Sequence, residues 1–134
     1  MMGLIRNLYN KYSIFIFTCT ALLFSCNTVE RDCNLYKSGS FITQSTVNDS
    51  TYTSIFTRND TIQIENFNGK IDTSACRWIN DCEFVLRTLN PKSRLQKKNI
   101  HIKILSTTDS TYRYEYSFVG ENRKETGLAT KISD

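Results

Sequence analysis

Two periodicities divide the chain. From Tyr12 to Phe24 apolar residues run nearly unbroken, whereas beyond residue 37 apolar and polar positions alternate in short runs. The alternation is clearest late in the chain. Ile100, Ile102 and Ile104 share one parity, with His101 and Lys103 on the other. Tyr112, Tyr114, Tyr116 and Phe118 oppose Arg113, Glu115 and Ser117, and Ile62 and Ile64 oppose Gln63 and Glu65. A period of two with one apolar parity predicts antiparallel strands packed on a core by one face and wetted on the other. On this reading the isoleucines of 62–64 point inward.

Candidate strands are Ser38–Thr46, Tyr52–Arg58, Thr61–Phe67, Ile71–Ile79, Cys82–Leu89, Asn99–Thr107, Thr111–Val119 and Lys124–Ile132, all rich in Thr, Ile, Tyr, Phe and Val. The breaks between them carry turn chemistry: Asn48-Asp49-Ser50, Asn59-Asp60, Thr108-Asp109-Ser110 and Gly120-Glu121-Asn122. Asn68-Gly69 is the strongest hairpin signal, because both residues tolerate the positive φ of a type I′ turn. The sole proline, Pro91, lies in the longest loop, where Ser93–Lys98 has room for one helical turn. Short strands joined by short loops predict an all-β fold, an antiparallel meander of about eight strands curling into a small barrel or half-barrel. A two-sheet sandwich is the alternative. Asp49-Ser50-Thr51-Tyr52 recurs as Asp109-Ser110-Thr111-Tyr112, too short an echo to establish a repeat.

The apolar run changes the picture of where the protein works. Arg6 and Lys11 precede it, and Leu23-Phe24-Ser25-Cys26 closes it. A membrane span needs about 20 apolar residues. This run is shorter and is broken by Ser13, Thr18 and Thr20. It reads as a helical secretory signal, residues 1–25, ending in a lipobox-like sequence. Cys26 then becomes the first mature residue and the site of lipidation (palmitate among the acyl groups). Residues 26–36 read as a tether and 37–134 as the all-β domain. The expected location is the bacterial cell envelope, bound to lipid through acylated Cys26, with the outer membrane preferred.

Removing 25 residues from 134 leaves 109, the size of one domain. Arg6 and Lys11 leave with the signal, so 15 basic residues face 13 acidic ones, a balance of +2. No nucleic-acid footprint follows from so small an excess. Of the five cysteines, Cys19 is discarded and Cys26 acylated, leaving Cys33, Cys76 and Cys82 in an oxidising compartment. Cys76 and Cys82 miss each other whether they share one strand or flank a turn at Asn80-Asp81. Cys33 is therefore the partner in any intrachain bridge, with Cys82 preferred to Cys76.

Catalytic signals are weak. Asp81 and Glu83 near Trp78 could suggest acid–base work on a sugar, but a turn aspartate and an outward strand glutamate explain them as well. His101, the single histidine, has no neighbouring metal ligand or nucleophile, so no metal or cofactor is expected. Arg77 beside Cys76 could favour a thiolate, against the commoner buried, inert thiol. Lys92, Arg94, Lys97 and Lys98 with Lys103 could meet headgroups or a polyanion, although a solvated loop is the usual explanation. The row Tyr112, Tyr114, Tyr116, Phe118, together with Trp78, could line a ligand cavity or simply fill the core. Asp-Ser-Thr at 49–51 and 109–111, and Asp60-Thr61-Ile62, resemble an O-glycosylation acceptor pattern of some envelope bacteria, although turn chemistry accounts for them too.

Arg77-Trp78-Ile79-Asn80-Asp81-Cys82-Glu83-Phe84, the Ile100–Ile104 segment, Tyr114-Glu115-Tyr116 and Gly127…Thr130-Lys131-Ile132 resemble a family of short bacterial envelope lipoproteins of unknown function. Its shared core is W-I-x-D-C-E-[FY], and many members carry the label "DNA topoisomerase IV". The resemblance covers most of the mature chain. It implies a small all-β envelope protein, no catalytic residues, and Cys33–Cys82 as the natural bridge. A secreted chain of this length, without ATPase fold or basic cleft, gives the topoisomerase label no support. The expected function is a non-enzymatic, membrane-anchored binding or structural module, with a small apolar ligand or an envelope protein as partner. A lipocalin-like carrier of a small apolar ligand is the alternative, and a weak hydrolase the third reading. An enclosed apolar cavity beside the tyrosine row would favour the carrier, and a dry, filled interior would exclude it.

Overall fold

The computed structural model describes residues 31–134. The signal segment and residues 26–30 of the tether, Cys26 among them, lie outside the described residues. A 3₁₀ turn, Asn34–Tyr36, leads into eight strands: β1 (Gly39–Val47), β2 (Ser50–Arg58), β3 (Ile62–Phe67), β4 (Lys70–Asn80), β5 (Glu83–Thr88), β6 (Ile100–Thr107), β7 (Thr111–Phe118) and β8 (Glu125–Ser133). Each strand pairs antiparallel with the next, and β1 pairs with β8, so the meander closes into a barrel. Half-barrel and sandwich are thereby excluded. Closure leaves no unpaired edge, which is how a small sheet avoids edge-to-edge association.

Turn chemistry sets the register. Asn68 and Gly69 have φ of 52° and 79°, the all-positive combination of a type I′ hairpin, and Asn48 and Asp49 repeat it at 49° and 62°. Asn59 Oδ1 accepts hydrogen bonds from the backbone N–H of Thr61 and Ile62, and Asn80 Oδ1 from that of Cys82. The 89–99 loop forms only an isolated turn, closed by Lys98 N–H on the Leu95 carbonyl.

The barrel has two unlike ends. The turns after β2, β4 and β6 and the incoming chain gather at one end. The turns after β1, β3 and β7 and the long 89–99 loop gather at the other. Register shifts at Ser40/Phe41, Trp78/Asn80 and Ile104/Ser106 all fall toward the first end. Such bulges bend and twist strands, and here they tighten that rim. Tyr36 fills it, fully buried and against Tyr112 at 4.9 Å between ring centroids. Its hydroxyl donates to the Thr108 carbonyl at 2.6 Å, and Lys131 Nζ donates to the Leu35 carbonyl at 2.9 Å. Cys33 and Cys82 form a disulfide at the same rim, with Cα atoms 5.3 Å apart, and Cys76 is a buried free thiol. Cys33 to Tyr36, expected as the end of the tether, is therefore part of the fold and plugs it.

One facing expectation is reversed. In β3 it is Gln63 that is buried and Ile64 that is 46% exposed. The inward parity of β3 carries Gln63 and Glu65, because both find partners inside: Gln63 accepts from Arg58, and Glu65 from Ser54. A satisfied polar group can occupy an interior that an unsatisfied one cannot.

Candidate functional site

Inward-facing residues fill only part of the barrel. Toward the plugged end Tyr36, Phe41, Phe84, Ile104 and Tyr112 pack solidly. Above them lies a cavity of about 490 Å³ that reaches toward the opposite end. Tyr112, Tyr114 and Tyr116 form one wall. Phe56, Leu86 and Ile102 add apolar surface, and Leu95 from the long loop stands at the mouth. A smaller depression of about 380 Å³ shares Leu95, Ile100 and Tyr116 with it and takes in Phe118. The remaining predicted lining residue, Trp78, does not reach the cavity. It stacks on Phe84 at 4.5 Å, on the plugged side.

The middle of the cavity is polar. Thr43 Oγ1 and the Tyr114 hydroxyl share a buried hydrogen bond of 2.5 Å, and Ser54 donates to Glu65. Burial pushes the phenols of Tyr112, Tyr114 and Tyr116 up from their ordinary value, although Arg58 opposes this at Tyr112. All three stay protonated and can donate. Tyr114 is placed by Gly127, its cross-strand partner: a Cβ there would overlap the phenol ring.

At the floor sits a residue that periodicity did not single out. Arg58, the last residue of β2, is 2% exposed. Its guanidinium carbon lies 4.5 Å from the Phe84 ring centroid, 5.2 Å from Phe41, 5.3 Å from Phe56, 5.5 Å from Trp78 and 5.9 Å from Tyr112. Nη2 donates to the Tyr36 carbonyl at 2.5 Å and to the Tyr112 hydroxyl at 3.3 Å, and Nη1 to Gln63 Oε1 at 3.3 Å. Among the described residues no carboxylate pairs with it, and Nε has no hydrogen-bond partner. A buried cation without a counter-ion is held here by ring faces and dipoles. The available signal was Ser54-Phe56-Arg58: an arginine on the same parity as a buried aromatic.

The other candidates lie outside the cavity. Asp81 pairs with Lys37 at 2.8 Å in an exposed turn. Glu83 faces outward from β5 and holds His101 at 3.2 Å and Lys103 at 3.3 Å. Burial would raise the Glu83 carboxyl, but the hydrogen bonds and charges of Lys103 and His101 outweigh it and hold the group below the usual carboxylate range. Cys76 faces inward, away from exposed Arg77, and burial pushes its thiol up even though Arg58 pulls it down. Lys92, Arg94 and Lys97 are exposed on the mouth loop, and Lys98 pairs with Glu121 at 2.5 Å. Among the described residues no cluster of three or more His, Cys, Asp or Glu could hold a metal, and no helix is long and apolar enough to cross a membrane. No family model, no curated protein and no solved structure matches this chain.

Proposed function

We propose that this chain is a non-enzymatic lipoprotein of the bacterial envelope, of the short-lipoprotein family that its W-I-N-D-C-E-F core resembles, and that its barrel carries a small amphiphilic ligand. The carrying observation is the cavity of about 490 Å³ along the tyrosine row, within the roughly 300–1,000 Å³ range of small-molecule sites. A purely structural module gains nothing from leaving this part of its interior open. The cavity therefore favours the carrier over the purely structural reading.

The anchor and the cavity lie at opposite ends. The described chain enters at the plugged rim, where Arg31 Nη1 donates to the Ile104 carbonyl at 2.9 Å and Asp32 N–H to Thr107 Oγ1 at 3.0 Å. Five residue steps separate an acylated Cys26 from Arg31, no more than about 18 Å of extended chain. Lipid at Cys26 would therefore keep the plugged rim, rather than the mouth, within about 18 Å of the membrane. Two measurements test the proposal. Mass spectrometry of the native N-terminal peptide should find Cys26 acylated; an unmodified Cys26 overturns the anchor. Native mass spectrometry of envelope-purified protein should find a co-purifying small molecule that Gly127→Val, which pushes Tyr114 toward the cavity, excludes. The absence of any co-purifying molecule overturns the carrier, and equal loading of both forms overturns the cavity as its seat.

A further inference from the structure

The floor of the cavity carries a set of hydrogen-bond donors that the fold does not consume. Resting on the carrier reading, we infer that this floor receives the anionic head of a monocarboxylate with an apolar tail, bound by Arg58, Gln63 and Tyr112.

Three observations converge. Arg58 lines the cavity, is 2% exposed, and keeps one guanidinium N–H unpaired at Nε. Gln63 also lines the cavity, and its Oε1 is taken by Arg58, which leaves the amide N–H groups at Nε2 for another acceptor. The Tyr112 hydroxyl accepts from Arg58, so its own proton is free to donate. A buried positive charge with adjacent spare donors attracts an acceptor that carries negative charge, and charge-assisted hydrogen bonds are the strong ones. Burial of the donors strengthens that preference, since water does not screen them. Toward the mouth the lining becomes apolar at Leu86, Ile100, Ile102 and Leu95, which suits a hydrocarbon tail.

Glu65 sets a limit on the site. It lies one inward position nearer the mouth than Gln63, since Glu65 pairs with Phe56 and Gln63 with Arg58 in the β2–β3 register. The cavity thus runs from positive at the floor to negative in its wall. An anionic head passes the carboxylate before it reaches the guanidinium, and a cationic head would stop at Glu65 instead. The two charges make opposite predictions for head-group preference, and the number of free donors at the floor decides for the anion: one Glu65 oxygen is already bonded to Ser54.

The test uses the full-length lipoprotein, purified from membranes and held in lipid nanodiscs. It is titrated with octanoate, octanol, octylamine and octyl phosphate while the fluorescence of Trp78 is read. Trp78 is the only tryptophan, with its ring 5.5 Å from the Arg58 guanidinium. Octanoate should bind roughly tenfold or more tighter than octanol. Tyr112→Phe, which removes one donor and little volume, should weaken octanoate by roughly threefold to tenfold and leave octanol unchanged. Glu65→Gln should tighten octanoate. Arg58→Met should abolish the preference; if it fails to fold, the Tyr112 and Glu65 variants carry the test. Equal affinity for octanoate and octanol overturns the anionic head but leaves the carrier standing, and so does tighter binding of octylamine. Tighter octyl phosphate than octanoate replaces the carboxylate with a phosphate. No binding of any probe overturns the carrier and the inference with it.

Discussion

Replacing Cys33 and Cys82 together by serine should remove a large part of the stability of this barrel. The double variant avoids leaving one thiol to exchange with Cys76. The bridge joins residues 49 apart in sequence. In the chain-entropy treatment, closing a loop of that length removes unfolded-state freedom worth about 4 kcal/mol at 25 °C. Small domains of this size are stable by only about 5–15 kcal/mol. A loss of about 4 kcal/mol corresponds to a fall in Tm of about 15–30 °C for a chain near 100 residues. The native state loses something as well, because the bridge holds Cys33–Tyr36 in the rim, where the Tyr36 carbonyl accepts from Arg58. Guanidinium unfolding of both forms, followed by Trp78 fluorescence, gives the difference directly. The unfolding slope should rise in the serine form, since the unlinked chain exposes more surface. A difference under about 1 kcal/mol would refute the reasoning, for it would mean that the hydrogen bonds of the plug suffice and the loop entropy does not count.

Gly127→Ala should destabilise by about 1–3 kcal/mol in thermal melts, because the new Cβ overlaps the Tyr114 ring and the phenol must move; an unchanged Tm would show that the ring has room. Cys76 should be silent to a thiol reagent at pH 8 in the native protein and give one equivalent in guanidinium, since burial raises its pKa; rapid native labelling would contradict its burial. Glu83 has a folded pKa below its unfolded one, so its contribution is present above about pH 4.3 and lost as pH falls through the folded value. Glu83→Gln should flatten that acid limb by less than about 1 kcal/mol in pH-dependent denaturation, and an unaltered limb would refute the assignment.

What could be read from the chain, and what could not, follows from where partners sit. β6 and β7 were legible because their inward residues, Ile102, Ile104, Tyr112 and Tyr114, alternate as large apolar side chains or ring faces with polar outward ones. All eight strands lie within two residues of their expected limits because Asn, Asp and Gly mark the turns. β3 read backwards because Gln63 and Glu65 are admitted to the interior by Arg58 and Ser54, residues of β2 that no local window connects to them. Arg58 itself looked like a strand end, and only five ring faces from β1, β2, β4, β5 and β7 make its burial tolerable. Closure was equally hidden, since it rests on β1 meeting β8 about ninety residues later, from Ser40 with Ser133 to Ser45 with Gly127. The Cys33–Cys82 bridge was half legible: strand geometry removed Cys76–Cys82 and required Cys33, while the choice of Cys82 over Cys76 came from the resemblance.

A barrel that keeps a cavity gives up part of its core, and the distribution of stabilising groups here follows from that loss. Inward positions that line a cavity forgo the side-chain contacts of a filled core, so stability in so small a domain has to come from elsewhere. The described disulfide, the Tyr36 plug, the aromatic stack on Arg58 and all three register shifts gather at one rim. The other rim is held by two-residue turns and by surface contacts such as Lys98–Glu121 and the Gln96 amide on Asp72 at 3.2 Å. Exposed ion pairs contribute little, so the mouth is the end that opens at low cost. The covalent and buried contacts thus concentrate at the rim where the described chain enters, and the exposed ones at the mouth. This polarity runs along the same axis as the charge gradient from Arg58 to Glu65, so on the proposed carrier reading one end of the barrel holds the chain and the other admits the ligand.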